Sequence, residues 1–327
     1  TGEILDRAER AMRAAITEVP DGTYEYAIET DGADEPYRFA LALTVDGDRI
    51  HADFTGTSPT QPRAINCVMA YTYAMTAYAI KCTLLPDLPN NDGMFRPITV
   101  HAPPDTLVNP SYPAAVVARS NTGHYVPVCV FGALARVLPE RVMAGAGSPL
   151  WVFTVTGLDD SGKPFANVLF FNGGMGAAHG ADGESCLSWP SNISSTPVEI
   201  AERNGPLLCL YKRLQPGSGG DGQWRGGLGQ EMLFECTAER SVTALFMAER
   251  TRFAAPGLLG GGDGETGTIE INGEVIDHRR QHVLHKGDRV LIRTPGGGGY
   301  GSPVRRDPGA QRLDRALGLI EETTNDA

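Results

Sequence analysis

Apolar residues recur along the first stretch of the chain at Leu5, Ala8, Met12, Ala15, Ile16 and Val19, and Pro20-Asp21-Gly22 closes the run with a turn. This spacing predicts an amphipathic helix over Leu5–Val19. Alternating runs at Tyr24–Thr30, Phe39–Val45 and Ile50–Phe54 predict strands, with Asp46-Gly47 as the hairpin turn between the last two. An antiparallel meander follows. Asn66–Ile80, rich in Ala, Tyr and Met, and Val126–Leu138, stopped by Pro139, read as further helices. Ile98–His101, Val168–Phe171, Val242–Phe246, Gly267–Ile271 and Arg289–Arg293 read as strands, and a last helix is expected near Gln311–Leu319.

The sharpest change of character comes where Val168–Phe171 gives way to Asn172-Gly173-Gly174-Met175-Gly176-Ala177-Ala178-His179-Gly180-Ala181-Asp182-Gly183. Glycines after a buried strand let the backbone approach a ligand or another backbone closely. A dinucleotide fingerprint fails here, because His179 stands where Gly or Ala is needed and Gly180–Gly183 cannot open the helix that would hold a pyrophosphate. No Gly-x-x-x-x-Gly-Lys-Ser/Thr occurs either, which argues against a phosphate loop. Two readings stand: a ligand-facing loop, or glycines that let backbones pack.

With 327 residues and 41% hydrophobic content, the chain can build one large domain or two with a real core. A formal charge of -11 disfavours nucleic acid and anionic membrane surfaces as partners. No apolar run reaches the length of a membrane span, and the charged start is unlike a signal peptide, so a cytoplasmic protein is expected. The six cysteines form no Cys-x-x-Cys pair and read as reduced thiols. Forty glycines and 23 prolines imply ordered irregular backbone, including polyproline-II-like segments.

Chemistry-bearing residues are scattered. Ser58 in Phe54-Thr55-Gly56-Thr57-Ser58-Pro59 lacks the frame of a nucleophile elbow and reads as a turn-capping hydroxyl. His278, His282 and His285 would share one face of a helix as zinc ligands, but Asn272-Gly273 and Lys286-Gly287-Asp288 bracket them as hairpin turns, and on a strand His285 points away from the other two. His179 with Asp182 is the candidate proton-transfer pair, and so the candidate catalytic set. His124 lies in another glycine-containing loop.

Taken in order, several motifs resemble the hydantoinase B/5-oxoprolinase family, roughly its carboxy-terminal two-thirds. They are Ile16–Tyr24, Asp53–Pro59, Asn91-Asp92-Gly93 with Arg96-Pro97-Ile98, Asn109-Pro110, Gly173–Ala177 with Asp182-Gly183, Asn192 with Thr196-Pro197-Val198-Glu199, Trp224–Gly229, and Thr294–Gly301 with Arg306-Asp307-Pro308. The resemblance implies an α+β, β-rich fold with few helices, in which barrel-like sheets run into a bundle of short glycine-rich polyproline-II-like segments. The expected regions are 1–165, 166–305 and a C-terminal helix at 306–327, interdigitated as one domain completed by another chain.

The resemblance further implies a subunit of an ATP-dependent cyclic-amide hydrolase, acting on hydantoins, 5-oxoproline or lactams, or of a ketone carboxylase of the acetone or acetophenone type; a non-catalytic assembly subunit is the third reading. ATP would be held by a hydantoinase A-like, actin-fold partner in a hetero-oligomer. A divalent metal would be held by the amino-terminal region of the family, which has no counterpart here, or by a partner chain; either another polypeptide supplies that region or this sequence is a cleaved piece. Substrate would be bound by Asn172, Gly173, Gly174 and Gly176, whose amides could stabilise an oxyanion, by Asn91, Asp92 and Arg96, and by Asn192. No metal ligand is assigned within this chain. Met175 stands where relatives commonly carry an aromatic residue, and Thr1 is weighed as a nucleophile, though Gly2 and a charged helix supply no base.

Overall fold

The computed structural model describes residues 2–33, 35–159, 161–187 and 189–320, and Thr1 lies outside them. The chain divides into two compact units, Thr1–Met143 and Ala144–Ala327. The expected division near residue 165 falls within the strand Pro164–Phe171.

In the first unit, α1 (Gly2–Ile16) buries Ala8, Met12, Ala15 and Ile16, the stripe that the apolar spacing predicts. Strands β1 (Gly22–Thr30), β2 (Tyr37–Asp46) and β3 (Arg49–Asp53) form the meander, and Gly47 turns between the last two at φ +57°. Helix α2 (Met69–Leu84) and the short α3 (Asp92–Phe95) lead to β4 (Ile98–His101), which adds to β3 in parallel. The α2 start is displaced from the expected Asn66 for a local reason. The Asn66 amide is buried and donates to the carbonyls of Gln61, Arg63 and Ala115, pinning a turn in place of a first helical turn. Helices α4 (Arg119–Gly123) and α5 (Tyr125–Leu134) complete the unit. α5 is apolar all round and almost wholly buried, with Tyr125 against Phe39 at 5.2 Å between ring centroids.

The second unit holds two antiparallel sheets. One has the order β11 (Glu274–Val275), β10 (Thr268–Ile271), β13 (Arg289–Arg293), β8 (Gln230–Cys236), β7 (Leu207–Leu214); the other runs β12 (His282–Leu284), β9 (Val242–Met247), β5 (Trp151–Leu158), β6 (Pro164–Phe171). Their inner faces share a core in which Phe153 stacks on Phe246 at 4.8 Å and meets Phe234 of the facing sheet at 6.1 Å. The sheets are open, so the barrel-like expectation is corrected. Both end in edge strands, β7 and β11 in one and β12 and β6 in the other, and no pairing among the described residues closes the ring. The β10–β11 hairpin turns on Asn272 and Gly273, both at positive φ, as the Asn-Gly pair predicts. Strands β5, β7 and β8 go beyond the pattern-based expectation, and α6 (Val198–Asn204) precedes β7.

Between the sheet strands, irregular segments around 144–148, 172–178, 218–229, 255–264 and 294–300 are assigned to no sheet, yet backbone hydrogen bonds join one to the next. Gly147 N–H donates to Gly174, Gly174 to Pro295, Gly297 to Gly227, Gly227 to Met175, and Gly298 to Gly145. The chain ends its described part with α7 (Pro308–Ala316), which Asp307 caps by accepting from Ala310 N–H at 2.9 Å.

Candidate functional site

The glycine run after β6 is built for backbone packing. A Cβ on Gly174 would strike the Gly227 carbonyl, one on Gly176 the Ala144 carbonyl, and one on Gly173 would lie 2.5 Å from the Gly147 carbonyl. Four amides of the run, of which Gly174 alone belongs to the expected substrate-binding set, are already hydrogen-bonded. Gly174 donates to Pro295, Met175 to Glu184, Ala177 to Gly298 and Ala178 to Ala181, at 2.9 to 3.1 Å. Residues 172 to 174, 176 and 177 are buried, as the close packing of backbone on backbone requires.

Asp182 and His179 are likewise separated in role. Both Asp182 carboxylate oxygens accept from Arg306, and Oδ1 also accepts the Arg225 backbone N–H at 2.7 Å. Burial raises the Asp182 carboxyl, but the Arg306 hydrogen bonds, the Arg225 amide and both positive charges outweigh it and hold the group below the usual carboxylate range. Arg306 extends the network to Asp314 of α7, which also meets Arg225. The carboxylate is thus a structural anion joining the glycine segments to α7. His179 is exposed and places its ring edge-on against Trp224, 4.8 Å between centroids, with Tyr300 at 6.3 Å. Asp182 is thus engaged by the Arg306 guanidinium and the Arg225 main chain, and His179 by Trp224 and Tyr300.

The remaining expected residues have partners or exposure of their own. Asn91 precedes α3 and donates to the Pro89 carbonyl, and Asp92 is exposed. Arg96 binds Glu9 and Asp6 of α1, so its charge fastens α3 to that helix. Asn192 is exposed at φ +52°. Ser58 Oγ accepts from the N–H of Arg38 in β2, 20 positions away, so it ties its turn to that strand and does not cap the turn itself. His282 bonds the Asp277 carbonyl from β12, and among the described residues no group of three or more His, Cys, Asp or Glu is placed to hold a metal ion. His124 is fully buried, with no partner for either ring nitrogen among the described residues, and burial pushes it down to about 4.

Asn172 is better connected than its neighbours. Its carbonyl accepts from the Gln230 amide at 2.9 Å and the Thr294 hydroxyl at 3.0 Å, tying β6 to β8 and to the segment after β13. Gln230 in turn lines an open cavity of about 380 Å³ together with Cys186, Ser195, Lys212, Arg213 and Leu214. Lys212 Nζ donates to Ser195 Oγ at 2.9 Å. Burial pushes the Cys186 thiol up to about 11, against a smaller opposing effect of the Lys212 charge. Sequence reasoning assigns no role to Lys212, Arg213 or Leu214, because β7 carries no turn signal that marks them.

Comparison with known proteins places this architecture. The hydantoinase B/oxoprolinase family model matches residues 1–303. A putative D-/L-hydantoinase component of the B type, from Pseudomonas sp. (strain NS671), is 31% identical over 342 residues, covering 97% of this chain and 57% of the relative. The crystal structure of an ATP-dependent caprolactamase from Pseudomonas jessenii superposes with a TM-score of 0.84 at 25% identity, over 98% of this chain and 58% of that one. Nucleotide-free acetone carboxylase shares the fold, with a TM-score of 0.83 at 20% identity over 96% of this chain and 50% of that one. The chain thus spans about half the length of the relatives it matches.

Proposed function

Because the chain belongs to the hydantoinase B/oxoprolinase family, we propose that it forms part of an ATP-dependent cyclic-amide hydrolase, opening a hydantoin, oxoproline or lactam ring through a phosphorylated intermediate. The observation that carries this reading is the match to a hydantoinase component of the B type, supported by the likeness to an ATP-dependent caprolactamase over 98% of the chain. ATP is assigned to an actin-fold partner, in keeping with the lack of a phosphate-loop motif in this sequence. A divalent metal is assigned to the amino-terminal region of the family or to a partner chain. The described residues here do not fit a metal, so no step is routed through one.

In this reading the interlocked glycine segments act as a stiff frame. Hydrogen bonds between the segments, such as Gly174 to Pro295 and Gly297 to Gly227, hold neighbouring surfaces in place. The test is ATP hydrolysis by the assembled complex. Stimulation by a hydantoin or lactam without bicarbonate is the expected result; a requirement for bicarbonate with a ketone overturns it in favour of carboxylation. Native mass spectrometry of the complex checks for the ATP-binding partner.

A further inference from the structure

Helix α7 is turned inside out. Asp314 is 5% exposed and pairs with Arg306 and Arg225, whereas Leu313 and Leu317, one turn apart, are 58% and 61% exposed. The helix therefore docks on its own unit through a carboxylate and presents its leucines outward, the reverse of an ordinary amphipathic surface helix. Val304, in the 3-10 turn Pro303–Arg305 just ahead of it, is 91% exposed. Single apolar residues at a surface are ordinary, but leucines left outside while a carboxylate of the same helix is buried mark a face that something else covers.

Both ends of this helix are fixed. Asp307 caps its start, and past its end the Leu319 carbonyl accepts the Gly217 N–H at 2.9 Å. A ridge carried on a fixed helix loses little freedom when a partner covers it. Its setting is positive, because Arg305, Arg312 and Arg315 are exposed and no carboxylate among the described residues pairs with them, in a chain whose formal charge is -11. The family match ends at residue 303, ahead of this whole feature. An apolar ridge among cations selects an apolar surface among acids. A second copy would bring the same arginines face to face, and the net negative charge opposes an anionic lipid surface.

We propose that α7 is a docking helix for an acidic amphipathic helix of a companion chain, with Leu313 and Leu317 against its apolar side chains and Arg305, Arg312 and Arg315 against its carboxylates. This rests on the reading above that the chain works within a complex, and adds the surface on which a companion sits and the chemistry that surface selects.

The test is hydrogen exchange and native mass spectrometry on the complex purified from its own host, beside the full chain alone. Amides of residues 304 to 317 are expected to exchange about tenfold more slowly in the complex. The double variant Leu313→Asp, Leu317→Asp, folded by circular dichroism, should lose one companion chain and that protection together. In Arg312→Lys, carbodiimide should couple the new amine to a carboxylate of the same companion. Equal exchange with and without the companion, coupling to a second copy of this chain, or protection by phosphatidylglycerol vesicles in its place overturns the proposal. The two readings fail separately. A complex that is joined through α7 but opens no cyclic amide sinks the cyclic-amide reading and leaves the interface; a ring-opening complex whose α7 stays unprotected sinks the interface and leaves that reading.

Discussion

Arg306 holds Asp182 through two hydrogen bonds of 2.8 Å, Nη1 to Oδ1 and Nη2 to Oδ2, across 124 positions of sequence. The pair joins the end of the glycine run to the segment that leads into α7. Arg306 also donates to Asp314, so removing Asp182 leaves a guanidinium half satisfied in a largely enclosed place. Asp182→Asn is expected to cost about 2 kcal/mol, read as a lower midpoint in denaturant unfolding. The folded carboxyl titrates below its ordinary value near 4. Its contribution is therefore fully present above about pH 4 and lost as pH falls through the lower folded value. The stability difference between wild type and Asp182→Asn should stay flat at neutral pH and shrink on the acid side. A variant of unchanged stability but altered rate would return Asp182 to the chemistry.

Gly174 and Gly180 lie six positions apart and should respond to different degrees. A methyl group on Gly174 meets the Gly227 carbonyl, which its own hydrogen bond from Gly297 holds in place. Gly174→Ala is expected to destabilise by about 3 kcal/mol or more. Gly180 has open space around the Cβ position and only a φ of +85° against it, so Gly180→Ala should cost about 1 to 2 kcal/mol. Thermal unfolding of both variants checks the order. A stable but inactive Gly174→Ala would restore the loop as a catalytic wall.

His124 predicts a pH dependence of its own. The unfolded imidazole titrates near 6.5, whereas the buried ring is pushed down to about 4. The unfolded chain therefore binds the extra proton first. Stability should be full above about pH 6.5 and fall towards pH 4, by about 3 kcal/mol. In His124→Gln this component should vanish, which unfolding curves between pH 7 and 4 would reveal. An identical slope in the variant would mean that another group carries it.

Arg96 separates a structural role from a substrate-binding one. Its guanidinium lies on the carboxylates of Glu9 and Asp6, and those hydrogen bonds hold it protonated beyond its usual range. Arg96→Met should leave KM unchanged and lower the melting midpoint slightly, as exposed ion pairs contribute little. A large rise in KM with normal stability would place substrate against α3.

Local patterning carried the first unit far. The stripe on α1 and the β1–β3 meander follow from the 3.6 and 2.0 periods, and the Asn272-Gly273 hairpin follows from turn chemistry, because each depends on residues adjacent in the chain. The ordered motifs were also enough to point to the hydantoinase B/oxoprolinase family. What composition could not reveal is which carbonyl faces Gly174, which cation holds Asp182, or that Lys212 lines a cavity with Ser195. These depend on segments brought together from distant positions, where a glycine reads alike whether it faces a ligand or another strand of backbone. Only the fold, by placing Gly227 over Gly174 and Arg306 on Asp182, decides which neighbours these residues have.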